Sequence, residues 1–333
     1  MRALAAYARL YPVKRLIALI VFLMLPSVIL SAEDLPKTKV YLIKTRDRQE
    51  GIDRLLRRLD PADFTDKKII VKANFNSDDP FPATTHLDTL RAVVRFLKTG
   101  TPESISILER SGMGRTTTVL ENRGVFDLGA SEEVGVVDLD ELPSKEWVRV
   151  GQKGTHWRNG FLIPKMVQEA DFIVNLPCLK THRFGGDFTM ALKNNVGLVA
   201  KWDRAYNYMW ELHGSPNQRK MIAEINQYVP SNLIILDALE GFSTEGPDRG
   251  TLITPEAMLM SSDPVAIDAV GVAMLRLYGT TPKVSRGKIF EQAQLRRAEE
   301  LGIGVTSPAE IEVVAVNKEA ETLAGHIREM LDR

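Results

Sequence analysis

Four groups of polar residues stand at the ends of short β-branched runs, and their side chains set what chemistry the chain could perform. The densest is Pro177-Cys178-Leu179-Lys180-Thr181-His182, directly after the apolar run DFIVNL at 171–176. It puts an ammonium, a hydroxyl and an imidazole within three residues, and a helix-like segment at 190–197 adds Lys193, Asn194 and Asn195. Such a set suits capture of a carboxylate or phosphate, or a base flanked by electrophiles. A second group, Lys72, Asn74 and Asn76, follows the run at 67–73 and precedes Thr84, Thr85 and His86. There Thr84 or Thr85 is expected to cap a helix whose free N–H groups favour an anion, with Lys72 supplying charge and Asn74 direction.

The third group follows the run at 232–238 and holds Asp237, Glu240, Gly241, Thr244, Gly246, Pro247 and Gly250. Its glycines allow backbone to approach a ligand, and its carboxylates suit a hard metal or a base. It matches neither a phosphate-binding P-loop nor a dinucleotide fingerprint, so nucleotide binding is not expected. The fourth is Ser261-Ser262-Asp263-Pro264 with Asp268 beyond it. Asp263 before a proline is an expected helix cap, a role that does not account for Asp268.

His182 is the candidate general acid or base, with Lys180 and Asp237 in the catalytic set. Lys72, Asn74, His86, Thr181, Lys193, Asn194 and Gly246 are candidate substrate contacts. Asp237, Glu240 and Asp268 are the candidate ligands of a divalent metal. Cys178 is expected to be an inert core thiol rather than a nucleophile. The histidines show no close metal-ligand spacing, and His326 is expected at the surface.

The elements that must position these groups are legible as alternation. Runs at 39–44, 67–73, 104–109, 134–139, 171–176, 232–238, 257–262 and 310–316 have strand length and composition. Between them lie helical patterns at 48–59, 87–97, 217–228, 264–277, 288–301 and 318–331. This predicts an α/β fold: a largely parallel or mixed sheet with helices on both faces and its ligand site in the loops at strand C-termini. One domain is expected over 38–333, with irregular stretches at 112–160 and a Trp- and Tyr-rich long loop at 201–216.

Charge and the amino terminus bound the function classes. The 43 basic and 43 acidic residues balance. Arg2, Arg9, Lys14 and Arg15 precede the apolar run Leu16–Leu30, and no acid occurs before Glu33, so the remainder is mildly acidic and no nucleic-acid partner is expected. Residues 1–32 have the order of a secretory signal, cleaved after Ala32 or kept as an N-terminal membrane anchor. Either route places the body across the membrane, exported to a periplasmic or extracellular space or tethered to the membrane. A lone cysteine precludes an internal disulfide and an iron–sulfur cluster held by this chain alone.

With those residues in view, the chain resembles the family called domain of unknown function 362 over about residues 67–305. The resemblance rests on IIVKANF at 69–75, TTH at 84–86, NLPCLKTH at 175–182, ALKNNVGLV at 191–199, LDALEGFSTEGPDRG at 236–250, SSDPVAIDAVG at 261–271 and LGIG at 301–304. Many members look like iron–sulfur proteins through an appended ferredoxin-like segment with CxxC spacing, which this sequence lacks. The family implies no established activity. The expected function is therefore an exported enzyme acting on a small anionic substrate, with a divalent metal as the candidate cofactor. The alternatives are a non-catalytic binding module for a small anion, metal or cofactor precursor, and a redox accessory protein.

Overall fold

The computed structural model describes residues 37–333 apart from Ala205. The leader assigned above lies outside the described residues. Among the described residues no helix is long and apolar enough to cross a membrane.

The strands in chain order are β1 (Thr38–Lys44), β2 (Lys68–Lys72), β3 (Ser104–Glu109), β4 (Gly135–Asp138), β5 (Trp147–Val150), β6 (Phe161–Pro164), β7 (Phe172–Asn175) and β8 (Cys178–His182). They continue as β9 (Asp187–Thr189), β10 (Trp202–Asp203), β11 (Tyr206–Asn207), β12 (Leu233–Phe242), β13 (Leu252–Ile253), β14 (Ala257–Ser261) and β15 (Ile311–Ala315). The main sheet runs β15-β1-β14-β12-β7-β2-β3-β4, with β13 and β8 also on β12 and β9 on β8. Only β14 opposes its neighbours along that path, and the other pairs are parallel. The fold is therefore α/β with a mixed sheet. All eight strands expected from the sequence lie on this path, because β-branched runs bounded by polar turns are legible without tertiary information.

Alternation along the strands explains why both faces are covered. Ile234 and Leu236 of β12 enter one apolar cluster with Val40, Leu42 and Leu259, under the helices Pro264–Leu277 and Glu321–Leu331. Leu233 and Ile235 enter the opposite cluster with Ile43, Met258 and Met260, under Arg48–Leu56 and Leu87–Lys98. Further along the sheet, Ile70, Leu108 and Ile173 face a third cluster that includes the helix Gln218–Ile225.

Three expectations need correction. The irregular stretch at 112–160 contains two helices, Thr116–Asn122 and Val125–Glu132, and the hairpin β5–β6. The expected loop at 201–216 is the β10–β11 ribbon followed by the helix Tyr208–Gly214. The expected helix at 288–301 is broken at Gln292 into a short turn and the helix Ala293–Glu300. Each of these elements is too short to carry a clear period of its own.

Candidate functional site

Parallel strands bring their C-terminal ends together, and four of them deliver chemistry. Lys72 ends β2, Glu109 ends β3, Asn175 ends β7 and His182 ends β8. Lys72 is fully buried, and its Nζ lies 2.7 and 2.9 Å from the two carboxylate oxygens of Glu109. It also donates to the carbonyl of Ala73. Glu109 further accepts from the backbone N–H groups of Phe75 (2.7 Å) and Arg110 (2.9 Å), so four hydrogen bonds from three donor groups satisfy one buried carboxylate. Burial still pulls the Lys72 ammonium below the usual lysine range.

The segment expected to be a loop at 178–182 is strand β8, parallel to the extended end of β12 and antiparallel to β9. A strand has period two, which explains the division of labour here. Lys180 and His182 point into one pocket, whereas Thr181 turns away and donates to Phe242 O (3.3 Å). Lys180 has no exposed surface, and its Nζ donates to the carbonyl of Ala83. No carboxylate pairs with it among the described residues, and burial lowers its basicity. His182 Nδ1 is buried without a hydrogen-bond partner. Burial, then the charges of Lys193, His213, Lys180 and Arg183, hold its imidazole well below the usual range and hence neutral.

The roof is the helix Ala191–Asn194 with the turn Asn195–Leu198. Amides fasten it to the strand ends. Asn194 Nδ2 donates to Lys72 O (3.2 Å) and Asn175 Oδ1 (2.8 Å), while Asn175 Nδ2 donates to Ala191 O (3.0 Å). Arg110 is buried beneath the same turn and donates to Val196 O (2.8 Å) and Val199 O (2.7 Å). Lys193 is half-buried, and its side chain takes no hydrogen bond or ion pair among the described residues. Burial and the neighbouring Lys180 and Arg110 pull it down to about 7. A methyl group added at Gly186 would sit 3.0 Å from both His182 Nδ1 and Lys193 Cε, so these two groups flank one small space.

The pocket enclosed in this way has a volume of about 40 Å³. That is space for a few water-sized groups, enough for the head of an oxyanion. Its walls carry the cations Lys72, Arg110, Lys180 and Lys193 against one carboxylate, Glu109. Neutral Asn74, Asn76, Thr189 and Asn194 complete it, and Gly197 closes in without a side chain. A Cβ at Gly197 would lie 2.7 Å from Glu109 Oε1 and 2.8 Å from Lys72 Nζ, so only glycine leaves this wall open.

A family model described as Domain of unknown function (DUF362) matches residues 69–273, which span every wall of this pocket. The chain belongs to that family. A thylakoid-associated protein of Synechocystis sp., sll1697, is 26% identical over 164 residues, which are 49% of this chain and 49% of that protein. The chain thus spans about half the length of the curated relative it matches. The lactate racemase apoprotein from Thermoanaerobacterium thermosaccharolyticum has 18% identity and a TM-score of 0.40, covering 64% of this chain and 52% of its own.

In this DUF362 chain several expected site residues serve elsewhere. Asp237 is buried outside the pocket, where it accepts from Arg48 Nε (2.9 Å) and Thr89 Oγ1 (2.7 Å) and ties two helices to the sheet. It neither reaches nor orients His182. His86 is a helix cap, its Nδ1 accepting from Asp88 N (3.1 Å), in place of the threonines expected there. Thr85 instead bridges Asn74 N and Leu176 O. Gly246 lies at φ 62°, where a Cβ would be 2.0 Å from Thr181 O, so it buttresses β8 rather than meeting a ligand. Cys178 is buried, and its thiol is pushed up to about 11 by burial, as an inert thiol requires.

The three expected metal ligands do not converge. Glu240 is half-buried outside the pocket, Asp237 is committed to Arg48 and Thr89, and Asp268 accepts from Ala191 N (2.7 Å) and Leu192 N (3.2 Å). Among the described residues no group of three or more acidic, histidine or cysteine side chains is placed to hold a metal ion. Asp268 acts instead on the roof: its carboxylate satisfies the first N–H groups of the helix that carries Lys193 and Asn194.

Burial raises Asp268 from 3.8 to about 7. Between those values the unfolded chain has lost a proton that the folded protein keeps, so stability falls as pH rises from about 4 to about 7 and levels off above. Asp268→Asn is expected to flatten that slope, seen as a melting temperature that varies less than wild type over the same window. An unchanged slope would place the titration elsewhere.

The sequence does not single out Glu109, Arg110, Thr189 or Gly197 as site residues, whereas Asn76 belongs to the second polar group and does line the pocket. The rule that selected Lys72 also reaches Glu109 and Arg110, since they close the next parallel strand. Gly197 and Thr189 carry no comparable signal, because only the packed roof and the β8–β9 pairing bring them in.

Proposed function

We propose that this chain is an enzyme acting on a small oxyanion-bearing substrate, with the anion seated among Lys72, Arg110, Lys180 and Lys193, and Lys193 beside His182 as the proton-transfer pair. The observation that carries the reading is a mostly buried pocket with four cations and one already committed carboxylate. An uncompensated buried charge is costly, and an anionic ligand relieves that cost. General acid–base work is best served by a group titrating near the working pH, which favours Lys193 over the neutral, weakly basic His182. The signal-like leader supports a setting outside the cytoplasm as part of the same proposal.

Anion binding should drive proton uptake at Lys193, because a nearby negative charge favours the charged ammonium. Sulfate is a suitable probe since it does not itself titrate near neutrality. Calorimetry of the full-length chain in two buffers of unlike ionisation enthalpy should find uptake of a proton fraction on binding near pH 7. Affinity should fall as pH rises through about 7, and Lys193→Met should remove this dependence. Sulfate binding with neither feature would contradict the acid–base role. Tight ligand retention without any product would favour the binding-module alternative, a reading supported by His182 Nδ1 having no hydrogen-bond partner among the described residues.

A further inference from the structure

The cationic pocket opens into a larger space of about 250 Å³. The two share Asn76, Arg110, His182, Lys193, Val196 and Pro247 as common wall, so a molecule held by its anion in the first has its remainder in the second. The outer space differs in character, since Met113, Phe184, Met209 and Trp210 line it. Met113, Phe184 and Trp210 stand exposed, with Trp210 at 76% of its free surface, and Trp202 stacks edge-on against Trp210 at 5.8 Å. Four of the six exposed large apolar side chains among the described residues thus gather at one rim. Large exposed apolar groups gathered at a cleft mark a binding surface rather than ordinary protein exterior. Phe184 belongs to the outer space alone and packs edge-on at 5.7 Å against the ring of His182, which lines both.

We propose that the substrate is an amphiphilic small anion, an oxyanion head attached to an aromatic or comparably bulky apolar body that lies against Met113, Phe184, Met209 and Trp210. This rests on the anion reading above and narrows it. The inner pocket is too small for more than the head, and the outer space has the size and lining for a ring system. A carboxylate and a sulfonate or phosphate head share the chemistry that the inner cations recognise.

The test compares benzenesulfonate with methanesulfonate, and benzoate with acetate, by calorimetry on the full-length chain. The aromatic member of each pair should bind about tenfold or more tightly, the scale set by burying one ring against apolar and aromatic partners. Trp210→Ala, and separately Met113→Ala, should erase much of that advantage while the affinity for methanesulfonate stays unchanged. Both side chains are exposed, so neither substitution should unfold the protein. Equal affinities within both pairs, or an advantage insensitive to both variants, overturns the proposal and leaves the rim to a protein contact. If the small anions still bind in that case, the inner pocket survives and only the amphiphile is lost; if no anion of either pair binds, the pocket reading fails as well.

Discussion

Lys180→Met is expected to lower anion affinity by about two to three orders of magnitude while leaving the protein folded and as stable as wild type or more so. The two effects have one cause. The Lys180 ammonium has no exposed surface and, among the described residues, donates only to the Ala83 carbonyl, so its charge is poorly compensated. Replacing such a buried charge by an apolar side chain of similar length is commonly neutral or stabilising, whereas a bound anion loses its most deeply buried partner. The pH dependence follows. The Lys180 pKa is lowered on folding, so its penalty is fully present below the folded value and is relieved as pH rises from there toward the unfolded lysine value. The gain in melting temperature from methionine should therefore be larger at pH 6 than at high pH. Calorimetric titration with sulfate and thermal melts measure both; wild-type affinity in the variant would remove Lys180 from the site.

Glu109→Gln should have the largest effect on stability, about 3–5 kcal/mol, because it leaves the buried Lys72 ammonium without its partner. The amide would also turn an N–H₂ group toward donors that the carboxylate now accepts, among Lys72 Nζ, Phe75 N and Arg110 N. Glu109 therefore organises the pocket floor rather than binding the ligand. Adding Lys72→Met should recover much of the loss, since the pair is removed together. Denaturant unfolding of the two single variants and the double variant measures the coupling. Simple additivity would mean that the pair is not an energetic unit.

The legibility of this fold followed the range of the interactions that specify it. Strand runs such as IIVK and the helix Pro264–Leu277, with Asp263 accepting from Val265 and Ala266, are determined by neighbours in sequence and could be read directly. The β8 segment could not. CLKTH has strand composition only in part, and it becomes a strand because the far end of β12 is free to pair with it. Reading it as a loop puts Lys180, Thr181 and His182 into one site, while the strand period places Thr181 on the opposite side. Asp237 misled for a related reason: a carboxylate at a strand end suggests catalysis, yet Arg48 and Thr89 reach it from helices far away in sequence. Capping of its own helix does not account for Asp268, because its carboxylate caps a different one. Lys72, Asn74, Lys180, His182, Lys193 and Asn194 do meet in one pocket, and their convergence owes as much to the parallel sheet as to their own types.

The central claim is that an oxyanion sits between the strand ends and the roof, and its most direct test is to see where one binds. Selenate soaked into crystals of the full-length protein can be located by its anomalous scattering. The account predicts a peak in the inner pocket within hydrogen-bond distance of Lys180 Nζ and Lys193 Nζ, abolished by Lys180→Met. An inner pocket with no peak while selenate occupies other surface sites would contradict it.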